Sequence, residues 1–318
     1  MAVRNQNGNG LLKLSWANVC FLTLIFVCGS WIAERSAITT FIGYIPQLPY
    51  LVPSFLLLLI AILKKHRKAT YVNVGALIIF GWLLLGVNWP HRLKIADEGP
   101  SFTLMTFNAK NATLGWPKIL TVVQEHQPDI ICFQEGNEMG DLPGYDIRFF
   151  SGKLIASKVP IVDSQNFVLT EGISEGLEVT LENGLTVVSV QLASFSIENV
   201  LGRRPLHTPT HLQTIAQIHD REVEKLIRLY RGRPKIVIAG DFNCPPRGHV
   251  YNKMAGAFND AFVDAGWLTG YTFPAKFPLQ RIDYAFVTDL LPQSARPISS
   301  NASDHRPVLF EFIIPEPT

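Results

Sequence analysis

The sequence predicts a two-sheet α+β sandwich covered by helices, placed behind an N-terminal membrane anchor of three helices. Three observations carry this. The first third holds three apolar stretches of membrane-spanning length. The remaining residues, about 220 of them, contain more strand-type runs than helical ones, and several strands follow each other directly. Many of those runs end in a short polar motif, so carboxylates, amides and a histidine gather where buried strands terminate.

The anchor comes first, as residues 1–97. Its spans are expected at about 14–33, 43–63 and 71–89, since crossing a bilayer takes roughly 20 apolar residues. Lys13 precedes the first span and Glu34-Arg35 follow it, with no small-x-small cleavage site of a signal peptide. The second contains Pro46, Pro49 and Pro53, so its first half is expected to kink or to lie at the interface. Trp31, Tyr44, Tyr50 and Trp89 fall near span ends, where amphipathic rings are favoured. Orientation follows from the loop Lys64-Lys65-His66-Arg67-Lys68, which has four fixed positive charges and no acid. Short basic loops stay cytoplasmic. The expectation is a multi-pass cell-membrane protein with a cytoplasmic N-terminus and an extracytoplasmic domain at 98–318. Arg92 and Lys94 oppose this only slightly.

The net charge of +2 conceals a split: residues 1–97 balance at +7 and residues 98–318 at −5. An acidic domain is a poor general binder of polyanions, whose affinity comes largely from basic contacts. Of the four cysteines, Cys20 and Cys28 lie in the first span. Cys132 and Cys244 lie beside motif residues and read as core fillers, not as a disulfide framework.

Strands are expected at 102–107, 129–134, 153–157, 165–169, 176–181, 185–192, 235–240, 281–287 and 307–313. Trp116-Pro117 opens a helix running to about His126, with proline in its first turn. A second helix covers 210–230, where Leu212, Ile215, Ala216, Val223, Leu226, Ile227 and Tyr230 recur at three- and four-residue steps. A third is expected near 248–259.

The chemistry lies in the motifs. Glu135 closes the apolar strand Ile130–Phe133, and Asn108 ends its own strand in a matching position. A lone carboxylate with a neutral amide suits Mg²⁺, which takes few protein carboxylates and keeps several waters; Mn²⁺ suits the same oxygens. In Gly240-Asp241-Phe242-Asn243 the glycine permits a tight turn from which Asp241 and Asn243 project. Such a carboxylate can orient or deprotonate a water, and the amide can hold a phosphoryl oxygen. Asp304-His305 adds an acid and an imidazole, and Asp283 is the candidate to orient that imidazole. Each motif alone is compatible with a plain turn or strand rim; their joint occurrence, in this order and after these strands, points to phosphoester chemistry.

The set TFN, QE, GDFN, RIDY and SDHRP resembles the endonuclease/exonuclease/phosphatase superfamily, the DNase I-like fold, over roughly Phe102 to Ile313. The resemblance implies a four-layer α/β sandwich and divalent-metal-dependent phosphoester hydrolysis. It implies that Asn108, Glu135 and Asp304 surround the metal, that Asp241 and Asn243 handle nucleophile and phosphate, and that His305, oriented by Asp283, contacts the scissile phosphate. The segment 154–161 is similar to the family's strand-turn, with Lys158 where an arginine is common. One position departs: Gln191 stands where the family usually has a histidine. Glutamine donates a hydrogen bond but delivers no proton, a difference of roughly 10²–10⁴-fold if that role is general acid. The loop 198–211 offers Arg203, Arg204, His207 and His211 as replacement substrate-binding groups; His219 lies on the apolar side of its helix and reads as a packed residue. A few spans ahead of such a domain, with Tyr271-Thr272-Phe273-Pro274 before the RIDY motif, resemble the membrane-anchored VanJ-like branch, which implies a lipid-linked or envelope phosphoester as substrate.

Three functions follow from this reading. The first is a membrane-anchored phosphatase or phosphodiesterase at the outer face of the membrane. The second is an extracytoplasmic nuclease, favoured by the basic residues of 203–235 and opposed by the −5 balance and by Asp220, Glu222 and Glu224 interleaved among them. The third is a catalytically weakened binding domain of the same fold, which Gln191 supports and the intact remaining motifs oppose.

Overall fold

The computed structural model describes residues 2–91, 99–194 and 208–315. The chain divides into two compact units, one of residues 1–87 with 247–249, the other of 88–246 with 250–318.

The first unit is helical. Its helices are Ala2–Val27, continued by a π-helical turn Cys28–Ile32, then Ala37–Tyr44, Val52–Leu63 and Arg67–Leu85. Two stretches, Gly10–Arg35 and Arg67–Leu85, are long and apolar enough to cross a membrane. The expected second span differs from a single helix: Ala37–Tyr44 and Leu48–Leu63 meet at an 85° bend. Proline is the cause. Ile45, before Pro46, takes an extended conformation (ψ 157°), because a following proline disfavours the helical region. The straight part Leu48–Leu63 is roughly 24 Å long at helical rise, short of the ~30 Å hydrocarbon core. Polar side chains join the helices internally: Asn18 donates to Ser54 (2.6 Å) and Asn73 to Ser15 (2.8 Å), all four buried. Such bonds hold helices together where no water competes.

The second unit contains two six-stranded sheets. One has the order β11-β12-β1-β2-β4-β3, with β1 Ser101–Asn108, β2 Ile130–Gln134, β3 Asp146–Phe150, β4 Lys153–Ser157, β11 Leu291–Pro297 and β12 Val308–Ile313. The other has the order β5-β6-β7-β8-β10-β9, with β5 Ile161–Thr170, β6 Ser174–Leu181, β7 Thr186–Gln191, β8 Ile236–Asp241, β9 Asn259–Asp260 and β10 Asp283–Thr288. Each sheet has one parallel pair near its middle, β1 with β2 and β7 with β8; the other pairs are antiparallel.

Alternation assigns the faces. Leu104, Cys132 and Ile155 turn inward to meet Val179, Val187, Val237 and Ala285 of the second sheet. Met105, Phe107, Ile131 and Phe133 turn outward and are covered by Ile119, Val122 and Val123 of the helix Trp116–His126. On the second sheet, the helix Thr208–Tyr230 lays Tyr230 on Phe167, and buried Glu222 bonds Ser174 and the Ala193 N–H. The order is therefore helix, sheet, sheet, helix.

Besides the two-residue β9, two strands escape the hydrophobic pattern. β3 is half-exposed along its length, and β11 carries two prolines, a bulge and an arginine. Both are edge strands, where one face and one rim stay wet and patterning is weak. The expected helix at 248–259 ends at Ala255; β9 and a short helix Ala261–Ala265 follow. All four cysteines are free, with Cys132 and Cys244 buried.

Candidate active site

The parallel pairs place the motifs. Asn108 ends β1 opposite Gln134 of β2, so Glu135 follows directly beside it. Gln191 ends β7 opposite Asp241 of β8, and Asp283 opens β10 opposite the same Asp241. The carboxyl ends of β1, β2, β7 and β8 thus converge with the start of β10. Gly240 permits this closeness: it sits at φ 155°, and a Cβ there would lie 1.9 Å from the Val190 carbonyl oxygen. Glu135 and Asn243 both adopt left-handed backbone (φ 51° and 50°), a conformation uncommon for non-glycine residues and concentrated at functional sites.

One row of side chains is buried. Asp283 accepts from His305 Nδ1 (3.0 Å), and His305 Nε2 faces Asp241 Oδ2 at 3.9 Å. Asp241 is held through both oxygens: Oδ1 accepts the Asn243 N–H (2.9 Å) and Oδ2 accepts the Asn108 amide (3.0 Å). Burial opposes charge on His305, yet the Asp283 and Asp241 carboxylates raise it to about 10. Burial pushes Asp241 up to about 7, opposed by the His305 cation and reinforced by the Asp283 charge. Among the described residues Nε2 of His305 has no hydrogen-bond acceptor within reach, so an imidazolium N–H is left pointing at the gap before Asp241. The Phe273 ring packs on the imidazole at 4.8 Å.

A second, more open row lies beside it. Asn108 also donates to Glu135 Oε1 (3.0 Å), and Gln191 donates to the same oxygen (2.7 Å). Lys110 Nζ meets Asp304 Oδ2 at 2.7 Å. The backbone N–H of Lys110 bonds Asn108 Oδ1 (3.1 Å), and the Asp304 carbonyl accepts from Ala275 (2.6 Å). Asn243 donates its side-chain amide to the Leu192 carbonyl (3.0 Å). The donor set fits a hard cation. Glu135 keeps Oε2 unbonded among the described residues while two neutral amides hold Oε1 without adding charge, which is oxygen-only chemistry suited to Mg²⁺ or Mn²⁺. Asp241, Asp283 and His305 also lie close enough together to hold an ion. Their existing His–carboxylate bond fits an oriented imidazolium better, since a metal-bound imidazole must be neutral.

The structure therefore gathers Asn108, Glu135, Gln191, Asp241, Asn243, Asp283, Asp304 and His305. Arg203, Arg204 and His207 lie outside the described residues. His211 is half-buried near the start of its helix, and among the described residues no hydrogen bond or ion pair joins it to the site. His219 is fully buried and bonds the Ala193 carbonyl (2.6 Å), a packed residue as expected. Within the basic run 203–235, Arg233 pairs with Glu178, while Asp220 and Glu224 of the helix bind Lys253 from outside the run.

Three contributors escaped the sequence reading. Lys110 reaches the site from a short helical turn and Phe273 from a loop; the sequence assigned Lys110 no role and Phe273 entered only within the run Tyr271–Pro274. Arg281 is the third. It is buried with Asp260 (2.8 Å) and stacks on Tyr284 and Phe262. Tyr284 Oη donates to the carbonyls of Arg281 or Cys244, each at 2.9 Å. In the RIDY motif the arginine and tyrosine thus fix the strand start from which Asp283 projects.

The sequence profile of the Endonuclease/Exonuclease/phosphatase family matches residues 105–305, and the chain belongs to that family. Solved structures share the fold at low identity. An endonuclease/exonuclease/phosphatase family protein from Bacteroides thetaiotaomicron is 18% identical, with 68% of this chain and 99% of that chain covered, at a TM-score of 0.52. The corresponding protein from Bacteroides vulgatus is 18% identical over the same shares, at 0.53. A 3′ phosphatase from Neisseria, solved with a product DNA hairpin, is 17% identical over 66% of this chain and 99% of that chain, at 0.50. No curated protein sequence matches the chain.

Proposed function

We propose that this protein is a membrane-anchored, divalent-metal-dependent phosphoester hydrolase of the VanJ-like kind, working at the outer face of the membrane on a lipid-linked or envelope phosphoester. The observation that carries the chemistry is the buried row Asp283–His305···Asp241, set beside the open row of Glu135 and Asp304. Asp283 holds the imidazole so that Nε2–H points outward, where it donates to a phosphoryl oxygen. Asp241, fixed by Asn108 and Asn243, orients the attacking water and takes its proton. Glu135, Asp304 and Asn108 would hold the metal, which when bound polarises the phosphoryl oxygen and offsets the charge on the leaving group. Lys110 adds a cation at the rim. Gln191 supports Glu135 and moves no proton, so the leaving group must depart without acid from that position. The anchor reading rests on the apolar helices, and the outward topology on the KKHRK loop.

The test is phosphate or head-group release by the full-length protein in lipid vesicles with Mg²⁺ or Mn²⁺. The substrates are a lipid diphosphate, a phospholipid, a generic diester and DNA, with Asp241→Ala as control. Metal-dependent release from a lipid substrate, lost in the control, is the expected result. Release confined to DNA would replace this reading with the nuclease. Metal binding without hydrolysis of any substrate would replace it with a binding domain.

A further inference from the structure

The second unit exposes a cluster of large apolar side chains at the start of its chain, just after the apolar helix Arg67–Leu85. That helix ends at Leu85, and Asn88 is already built into the second unit. Its backbone exchanges two hydrogen bonds with Leu268 (2.7 and 3.0 Å). Its side-chain amide bonds the carbonyls of Phe262, Val263 and Gly266, closing the end of the helix Ala261–Ala265. Trp89 then packs edge-on against Trp267, with ring centroids 4.6 Å apart. Trp89 is 63% exposed, Trp267 51% and Leu268 67%. Leu268 holds this position with left-handed backbone (φ 63°), so an apolar side chain is presented to the outside against local conformational preference.

The chain continues from this cluster to the catalytic imidazole. Four residues lie between Leu268 and Phe273, at most about 18 Å of chain, and Phe273 lies on His305. The turn that follows hydrogen-bonds the Asp304 carbonyl through Ala275 and raises Phe277, 67% exposed.

We propose that Trp89, Trp267 and Leu268, together with Phe277, form a lipid-contacting edge that seats the catalytic loop at the headgroup layer of the bilayer. This rests on the reading of Arg67–Leu85 as a membrane span. The occupant is a lipid surface because Trp89 lies only four residues beyond that helix, within about 14 Å of its end, at the depth where tryptophan is favoured. Paired indoles beside aliphatic side chains have the mixed apolar and hydrogen-bonding character that the interface rewards. A phosphoester embedded in the same leaflet would then reach His305 without leaving the membrane.

The experiment uses the full-length protein in phosphatidylcholine vesicles, with Cys20→Ser and Cys28→Ser removing the accessible thiols. Single cysteines at Leu268→Cys, Phe277→Cys and Ile78→Cys carry an environment-sensitive fluorophore, and lipids with a shallow nitroxide serve as quencher. Ile78, exposed on the helix Arg67–Leu85, tests the anchor by itself. The expected result is loss of most emission at 268 and 277, with quenching at 78 as well. Quenching at 78 with none at 268 overturns the proposal while the anchor stands. Quenching at 268 without 277 overturns the claim that the catalytic loop shares the contact. No quenching at any position overturns the anchor reading and the proposal together.

Discussion

Two histidines of the second unit are buried to nearly the same degree and end in opposite charge states. His219, on the buried side of the helix Thr208–Tyr230, bonds the Ala193 backbone carbonyl, and burial pushes it down to about 4. His305, at the strand ends, faces two carboxylates and is raised to about 10. Burial alone therefore removes the imidazole charge; paired acids restore it and fix its direction. The lesson extends across the site. The buried row turns on mutual electrostatics, whereas in the open row Glu135 and Asp304 offer carboxylate oxygens beside the Lys110 cation.

Removing the acid that separates the two cases should have the largest effect. Asp283→Asn keeps the shape but removes the carboxylate that accepts from His305 Nδ1, leaving only the more distant Asp241 charge. A fall in kcat of roughly 10²–10³-fold is expected, the scale of losing a preorganised charge at the reacting centre, with a smaller change in KM. An unchanged kcat would remove His305 from phosphate binding.

His219 sharpens the contrast through stability. Its folded value of about 4 lies below the ordinary 6.5, so the unfolded chain binds the extra proton between those values. The stability it contributes is fully present above pH 6.5 and is lost as pH falls towards 4, by at most about 3 kcal/mol. His219→Gln, which can still donate to Ala193, should flatten the acid limb of a urea-unfolding profile recorded from pH 7 to 4.5.

In the open row, Gln191→Ala removes one of two amides on Glu135 Oε1. The Mg²⁺ concentration for half-maximal activity should rise roughly 10–100-fold, as for other residues that orient a metal ligand. Equal Mg²⁺ dependence would detach Gln191 from that role. Lys110→Met should have the smallest effect: its ion pair with Asp304 is half-exposed, worth ~0.2–1 kcal/mol, so activity changes a few-fold and less at high salt.

Much of the fold was legible because its signals are local. The central strands β1, β2, β7 and β8 are apolar on both faces, and both long helices repeat at helical spacing, so burial dictated their sequence. Edge strands β3 and β11 were illegible since solvent accepts almost any residue on their open side. The 85° break near Pro46 was foreshadowed by proline chemistry, but its angle depends on the packing around it. At the site, Asn108, Glu135, Asp241, Asp283 and His305 announced themselves by ending or opening strands. Lys110, Phe273 and Arg281 did not, because a loop lysine, a phenylalanine and a motif arginine have no signature until their neighbours are placed.

By itself the sequence determined the element types, the apolar helices at the N-terminus, the acidic balance of the second unit and the residue types available for phosphoester chemistry. Each depends on composition or short-range periodicity. The tertiary structure alone decided that Asp283 and Asp241 flank one imidazole, that Gln191 lies on Glu135, and that Trp89 meets Trp267. These pairs are 22 to 178 residues apart, and only the strand register and the packing of two sheets bring their atoms within a few ångströms.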